Sequence, residues 1–363
     1  MAVQRGAMAA ISCDGQRLAE AYGAGARWLT HHAARINALN VFPVPDGDTG
    51  TNMCLTLQAA AGAAEAQRSA ATDEVARAAA QAALLGARGN SGVILSQLLA
   101  GLAAGLQGRR QIDGDGFGAA AQEAARFAYK AVTAPVEGTI LTAAAAVATA
   151  VQEAVDQGRP PLVVLTRAAQ AARDAAVRTP ELLPILRQAG VVDAGAEGLA
   201  IILEGVLRWA RGESLDGAEL PAFTHLDNAA MAEHMHVLED NGYCTNFLVR
   251  DVQGSAEGLR QAILDLGTSA VVAAAGDLVK VHVHTEHPGL VLEAGARWGE
   301  LTAIEITNMR DQVAAIQRPP TEERASSQPP LPVPDGAATG LVAVAPSAEL
   351  AAVFGGFGVR AII

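Results

Sequence analysis

The sequence predicts a multidomain protein, in which an all-α domain precedes a small α/β (α+β) domain and the start of a third α/β domain. Three observations support this prediction. Alanine-rich helical patterns fill residues 1–212, strand patterns alternate with a helix between residues 221 and 317, and a strand-helix-strand pattern ends the chain. The length of 363 residues also favours more than one domain.

Composition supports helices for residues 1–212. Half of the chain is hydrophobic but only 4% is aromatic, and alanine supplies much of the difference, which favours closely packed helices. Segments 73–85, 118–132 and 142–156 carry charges three or four residues apart. Polar loops with glycine separate these segments, so we expect the loops to carry the chemistry.

The remaining chain divides into three parts. Strand patterns at 243–249, 270–275, 278–285 and 301–307, with a helical pattern at 254–266, predict a domain over 221–317. Residues 318–336 contain proline and serine pairs without a hydrophobic period, which predicts a disordered linker open to trypsin at Arg318 or Arg324. Residues 337–363 end inside a strand pattern, so we interpret them as the truncated start of a third domain.

Charge and apolar patterning exclude several classes of protein. The net charge of −12 argues against a nucleic-acid-binding face. The longest apolar run, 139–151, is too short for a transmembrane segment, and the N-terminus lacks a secretory signal pattern. Cys13, Cys54 and Cys244 are too few for a disulfide framework. These features predict a cytoplasmic protein.

The first loop with candidate chemistry is Pro-Val-Pro-Asp-Gly-Asp at 43–48. Asp46 and Asp48 flank a glycine, so both carboxylates can converge on one Mg²⁺, which prefers oxygen ligands. Thr49, Thr51 and Asn52 follow at a predicted helix start, where free N–H groups favour phosphate. The alternative is an Asx-type turn that caps the helix.

A second loop offers small residues before a predicted helix at 93–106. Gly89, Asn90, Ser91 and Gly92 supply backbone N–H groups and a hydroxyl, which suit a phosphate group. By itself the segment also fits a glycine turn with a helix cap. The P-loop pattern with its lysine is absent from the sequence, so a P-loop kinase is excluded.

A third constellation lies in the strand 278–285. His282 and His284 are two residues apart, so their side chains share one face and could bind one metal ion with a third ligand. Cys244, at another strand start, is a candidate. The alternative is a pair of ordinary core or surface histidines. His234, His236 and His287 are weaker ligand candidates, and His31 with His32 fits a solvated helix face.

The chain resembles a known family in the order of its motifs. Segments 39–53, 86–97, 135–141 and 193–198 are similar to the dihydroxyacetone kinase L-type (DhaL, DAK2) nucleotide-binding domain, in the variant of the ATP-binding subunit of bacterial fatty acid kinases. Segments 242–245 and 281–285 resemble the middle domain of the same fatty acid kinases. The resemblance implies a barrel of antiparallel helices with ATP at one end.

The resemblance also implies roles for individual residues. Asp46 and Asp48 would hold Mg²⁺ at the ATP phosphates, and Arg88 would be a nearby cation. Asn40 stands nearest to the place of a third aspartate in dihydroxyacetone kinases. The segments around Thr49, Thr51, Asn52 and residues 89–92 would bind the nucleotide, whose pocket Thr139, Asp193 and Gly195 would line. Cys244, His282 and His284 would bind Zn²⁺, with Asn246 where many relatives are expected to have glutamate.

The activity implied by the resemblance is transfer of the γ-phosphoryl of ATP to a fatty acid, giving an acyl phosphate for lipid synthesis. The resemblance also implies that a fatty-acid-carrier protein presents the substrate. This fits the sequence, in which no leucine-rich or aromatic stretch indicates a lipid tunnel. The protein could act as a homodimer. Two alternatives stay open: a kinase for a small hydroxyketone such as dihydroxyacetone, and a nucleotide-sensing scaffold without transfer activity.

Overall fold

Ten helices account for most of residues 13–216. The computed structural model describes residues 13–216 and 242–311, with the backbone of Val342–Val344 and Arg360–Ile362. The helices are α1 (Gly15–His31), α2 (Ala33–Ala38), α3 (Thr49–Ala66), α4 (Thr72–Gly86), α5 (Gly89–Gly105), α6 (Gly114–Ala131), α7 (Ile140–Asp156), α8 (Pro161–Leu182), α9 (Pro184–Ala189) and α10 (Ala194–Ala210). The all-α prediction is confirmed, with helix ends shifted by a few residues.

The eight long helices form a closed ring. Each packs against the next in the order α1, α3, α4, α5, α6, α7, α8, α10, and α10 returns to α1. The ring is the antiparallel helical barrel that the resemblance implies. Within the described residues, no helix is both long and apolar enough to span a membrane.

A largely apolar cavity of about 670 Å³ lies inside the ring. Its walls come from seven helices and include the side chains of Leu57, Leu99 and Phe117. The cavity was not predicted, since no leucine-rich or aromatic stretch had indicated a lipid tunnel. The two histidines at the end of α1 differ in exposure. His31 is exposed, as predicted for a solvated helix face, whereas His32 is 9% exposed and packs edge-on against Trp28.

The second part of the described chain is a four-stranded sheet with two helices. Its elements are β1 (Tyr243–Arg250), α11 (Ala256–Leu264), β2 (Thr268–Ala275), β3 (Leu278–Thr285), α12 (Pro288–Ala296) and β4 (Glu300–Asn308). The strand order is β2-β3-β1-β4 and every pairing is antiparallel, so this part is α+β. The four predicted strands are confirmed, and α12 is an additional helix.

Side-chain alternation gives the sheet two different faces. Val279, Val281 and Val283 of β3 pack with Phe247 against α11 and α12. The intervening residues of β3 point to the other face, which meets the helical ring. There Val271 and Ala273 of β2 pack with Leu84, Val93 and Ala131 of the ring.

Hydrogen bonds reinforce this contact between ring and sheet. Val132, after α6, forms an antiparallel bridge with Val271, and the Thr133 hydroxyl donates to the carbonyl oxygen of Ala270 at 2.9 Å. Ring and sheet belong to one compact unit, Met1–Gln317.

Residues from Arg318 form a second unit, of which six residues are described. Strands β5 (Val342–Val344) and β6 (Arg360–Ile362) pair in parallel there. Several predicted features lie outside the described residues. They are the linker over 318–336, the helix predicted between the two strands of the third domain, the part of the 213–221 boundary beyond residue 216, and the ligand candidates His234 and His236.

We expect Gly101→Ala to destabilise the ring by about 1–3 kcal/mol, the usual cost of overpacking. A Cβ atom at Gly101 of α5 would lie 2.2 Å from the Glu123 carbonyl oxygen of α6. Gly62→Ala in α3 is the matched control, because its Cβ would meet nothing within 4 Å. That change should leave stability equal or raise it by about 0.5–1 kcal/mol. Urea unfolding of both variants is the measurement, and equal stabilities would contradict the expectation.

Candidate active site between ring and sheet

The first candidate loop leads directly into helix α3. Gly47 adopts a φ of 67°, a left-handed conformation that favours glycine, and this turn places the carboxyl groups of Asp46 and Asp48 on one side. Helix α3 begins at Thr49, and the Asp48 side chain makes no capping hydrogen bond. The interpretation of Asp48 as a simple helix cap is therefore not supported by this geometry.

A chain of hydrogen bonds holds Asp46 in place. The Asn40 amide donates to Asp46 Oδ1, and Asn40 Oδ1 accepts from the Thr49 hydroxyl at 2.9 Å. The Ser91 hydroxyl donates to Thr49 Oγ1 at 3.3 Å, which links the second loop to the first. Asn40, 3% exposed, thus supports Asp46 through hydrogen bonds with its whole amide group.

The second loop lies against the first. Gly89 has a φ of 57°, and a Cβ atom there would be 2.5 Å from Asn52 Nδ2, so only glycine fits this approach. The N-termini of α3 and α5 consequently lie side by side. Asn90 Oδ1 is buried and has no hydrogen-bond partner among the described residues. Such an unpaired buried oxygen fits a site that takes a ligand.

The third constellation is brought together by strand register. Cys244 and Asn246 of β1 lie directly opposite His284 and His282 of β3. His282 Nε2 is 3.2 Å from His284 Nε2, and Cys244 Sγ is 3.8 Å from His282 Nδ1. One donor atom from each of Cys244, His282 and His284 falls within 4.8 Å of the others. We call these three residues the Cys-His-His cluster.

The two acidic residues and the Cys-His-His cluster face the same cavity, of about 160 Å³, between ring and sheet. The cavity is lined by Asn40, Pro43, Val44, Asp46, Asp48, Thr49, Asn52, Arg88, Gly89, Asn90, Ser91, Cys244, Asn246, His282, His284, Glu305 and Thr307. Residues about 200 positions apart in the chain therefore contribute to one site.

The electrostatics of the cavity are dominated by burial of acidic groups. Burial and the neighbouring Asp48 carboxylate raise the pKa of Asp46 to about 8. The opposing positive charge comes from Arg88, whose guanidinium pairs with Glu305 of β4 at 3.3 Å. Both partners of this pair are about half exposed, so its contribution to stability is small. A bound cation would relieve the repulsion between the two aspartates.

Burial also keeps the Cys-His-His cluster uncharged. It raises the pKa of the Cys244 thiol to about 12 and lowers the pKa of His284 to about 4. The pKa of His282 is lowered well below its usual range by burial and by the neighbouring His284. Without a bound cation, the cluster therefore consists of a neutral thiol and two neutral imidazoles, and neutral imidazole is the form that binds metals.

Several predicted site residues lie elsewhere. Thr51 hydrogen-bonds to Asn37 of α2, and a Cβ at Gly92 would meet Thr56. Thr139 and Asp193 cap helices α7 and α10, and Gly195 lies beside Ile140. None of these five predicted residues belongs to the described lining of the cavity.

Five residues of the cavity lining were not among the predicted site residues: Pro43, Val44, Asn246, Glu305 and Thr307. Pro43 and Val44 belong to the first candidate loop. Asn246 was noted only as a departure from the family, and Glu305 and Thr307 of β4 were not singled out. Strand alternation places Asn246 on the same face as Cys244, two residues away. The register of β4 against β1 then aligns Glu305 with Asn246 and Thr307 with Cys244, which sequence spacing does not show.

We expect the stability advantage of Asp193→Asn over the wild type to grow as the pH rises from about 4 to about 7. Burial raises the pKa of Asp193 to about 7 from 3.8. The native state then binds more protons than the unfolded state over this range, so the free energy of unfolding of the wild type falls as the pH rises. Asparagine can still accept from the Ala196 N–H, which Asp193 binds at 2.7 Å, but carries no charge.

Urea unfolding at several pH values measures this difference. Asp113→Asn, at the N-cap of α6 with a largely exposed carboxylate, is the matched control. A difference between Asp193→Asn and wild type that stays constant with pH would contradict the buried-charge explanation.

Comparison with known proteins identifies both parts of this unit. The DAK2 domain family matches residues 43–208, and the FakA-like middle-domain family of fatty acid kinases matches residues 240–316. The first match covers most of the helical ring and the loops of the candidate site. The second covers the sheet that carries the Cys-His-His cluster. Together they support a kinase-related function with nucleotide binding.

Similar proteins occur in bacteria. Protein YloV of Bacillus subtilis is 39% identical over 98% of this chain and 66% of its own length. The uncharacterized protein SERP0792 of Staphylococcus epidermidis is 38% identical over 84% of this chain and 57% of its own. This chain thus spans less than two thirds of the length of these relatives.

Among solved structures, the native form of the dihydroxyacetone kinase of C. freundii is similar to this chain. The alignment covers 58% of this chain and 38% of the kinase chain. The sequence identity is 18% and the TM-score 0.41. The two family matches and the relatives agree with each other along the chain. The chain therefore belongs to the family of proteins that join an N-terminal DAK2 domain to a FakA-like middle domain of the fatty acid kinases.

Proposed function

We propose that this chain is the ATP-dependent subunit of a fatty acid kinase, which transfers the γ-phosphoryl of Mg-ATP to the carboxylate of a fatty acid. A separate carrier protein would present the fatty acid. The observation that carries the proposal is the shared cavity, where two acidic residues and two helix N-termini face the Cys-His-His cluster. The two family matches support the same assignment.

The residues around the first two loops fit a magnesium nucleotide. Asp46 and Asp48 would hold Mg²⁺, because paired carboxylate oxygens suit this ion and their mutual repulsion requires a cation. The N-termini of α3 and α5 present free N–H groups and positive dipole ends to the phosphates. Bound Mg²⁺ supplies positive charge to the phosphate oxygens. Ser91, Thr49 and Asn40 keep Asp46 in the orientation that this binding needs.

The Cys-His-His cluster fits Zn²⁺. Two nitrogen ligands at 2.0–2.1 Å from a tetrahedral ion lie about 3.3 Å apart, close to the 3.2 Å between His282 Nε2 and His284 Nε2. Three protein ligands leave a fourth position open, as in catalytic zinc sites. Bound Zn²⁺ supplies a positive charge opposite the two aspartates.

The remaining chemistry is positioning and charge stabilisation, as in other phosphoryl transfers. A fatty acid carboxylate is already an anion, so the reaction needs no strong general base. Arg88 lies at the cavity wall, where its guanidinium can bind a phosphoryl or carboxylate oxygen while Glu305 orients it from the sheet. Docking of the sheet on the ring thus places Glu305 where it can orient the Arg88 cation.

An assay of ATP consumption with hydroxylamine trapping tests the proposed function. Purified protein, Mg-ATP and a fatty acid are combined with and without a bacterial fatty-acid-binding protein. An acyl phosphate reacts with hydroxylamine to give a hydroxamate, whereas a phosphorylated hydroxyketone does not. Carrier-dependent hydroxamate supports the proposal. Phosphorylation of dihydroxyacetone without hydroxamate would favour the small-molecule kinase, and ATP binding without turnover would favour the scaffold.

We expect Asp46→Ala and Asp48→Ala each to reduce Mg-ATP turnover at least about 100-fold, because charge stabilisation by a metal is worth several kcal/mol. Turnover and circular dichroism are measured together, and the helical signal should persist. Asp14→Ala is the control, since Asp14 caps α1 outside the cavity lining. Full turnover in both cavity variants would refute the magnesium assignment, and loss of helicity would favour a structural turn.

We expect purified protein to contain about one zinc ion per chain, bound through three protein ligands, and Cys244→Ser to lose most of it. Elemental analysis is the measurement. Cys54→Ser is the matched control, because Cys54 is a buried cysteine of α3 outside the cluster. Stoichiometric zinc in Cys244→Ser would remove Cys244 from the ligands. A metal-free wild type that takes up no added zinc would return both histidines to an ordinary core role.

A further inference from the structure

Asn246 bridges two members of the Cys-His-His cluster. Its side chain is 4% exposed and lines the cavity from β1. Asn246 Oδ1 lies 2.7 Å from His282 Nδ1, and Asn246 Nδ2 donates to Cys244 Sγ at 3.2 Å. A single buried amide thus contacts both a histidine and the cysteine of the cluster.

The polarity of an amide group fixes the roles in these contacts. Its oxygen only accepts and its nitrogen only donates, and the nitrogen is already directed at the sulfur. His282 Nδ1 must therefore carry the proton and donate to Asn246 Oδ1. This assignment leaves the lone pair of His282 on Nε2, the atom that lies 3.2 Å from His284 Nε2.

The other members of the cluster lack comparable support. His284 Nδ1 is buried without a hydrogen-bond partner among the described residues. The Cys244 thiol receives a side-chain N–H from Asn246. Asn246 therefore holds two of the three donor-atom side chains, those of His282 and Cys244.

We propose that Asn246 is a positioning residue that holds His282 in the Nδ1–H tautomer and orients Cys244 Sγ, so that both donor atoms present lone pairs to one metal ion. The proposal rests on the zinc site of the proposed function but not on kinase activity. Hydrogen-bond partners of this kind fix the orientation of metal-binding histidines, and their loss typically lowers metal affinity about 10–100-fold.

The first test is the tautomer of His282 in the metal-free protein at neutral pH. Long-range ¹H–¹⁵N correlation spectra of ¹⁵N-histidine-labelled protein distinguish a protonated Nδ1 from a protonated Nε2. We expect Nδ1–H in the wild type and a shift toward Nε2–H in Asn246→Leu, which removes the acceptor. Asn246→Asp keeps an acceptor for His282 but loses the donor to Cys244, so it should retain Nδ1–H.

The second test is zinc affinity, measured by competition with a chromogenic chelator. Asn246→Leu should bind zinc about 10–100-fold more weakly than the wild type. Asn308→Leu is the matched control: Asn308 lies on β4 of the same sheet, and its Oδ1 accepts from the Arg310 N–H instead of contacting the cluster. Its zinc affinity should equal that of the wild type.

Two results would overturn the proposal. One is a wild type with His282 in the Nε2–H tautomer, which requires no variant. The other is Asn246→Leu, or Asn246→Ala if the leucine variant does not fold, with wild-type tautomer and wild-type zinc affinity. An inactive wild type that shows the expected tautomer and affinities would refute the proposed kinase activity and support the role of Asn246.

Discussion

Repulsion between two carboxylates in a confined space is the constraint on which the rest of the site depends. Asp46 and Asp48 flank one glycine and face one cavity, and their proximity together with burial raises the pKa of Asp46 to about 8. Such a pair stays ionised only where positive charge is nearby. Two helix N-termini and Arg88 provide part of this charge, and the Asn40 amide donates a hydrogen bond to one oxygen. The arrangement is unfavourable for a loop that binds no cation and well suited to one that does.

The contact between sheet and ring decides what faces that acidic pair. An apolar patch around Val271, Ala273 and Leu84 fixes the position of the sheet, and the polar residues of β1 and β3 then lie over the two loops. The same face of the sheet thus has two roles. Strand β2 supplies the apolar contact with the ring, and strands β1 and β3 supply polar residues of the cavity. A shift of one residue in β3 would turn both histidines toward α11 and α12, away from the cavity.

Local features were predictable from the sequence, and long-range ones were not. The loops at Asp46 and Gly89 carry their own signals, because turns and helix starts depend on adjacent residues. His282 and His284 follow from strand alternation. The convergence of these groups depends on domain docking and on β4 register, for which the sequence holds no periodic signal. The ring cavity escaped notice because its lining side chains come from seven helices spread between Cys13 and Gly212, which only the fold brings together.

The bridge between Val132 and Val271 affects more than domain docking. Strand β2 lies at one margin of the sheet, and an unpaired margin is a template for pairing with strands of other molecules. The segment after α6 occupies part of this margin, with the Thr133 N–H and hydroxyl both directed at the Ala270 carbonyl oxygen. The helical ring therefore shields part of the β2 edge against edge-to-edge pairing, and a sheet domain produced without its ring would expose that edge to self-association.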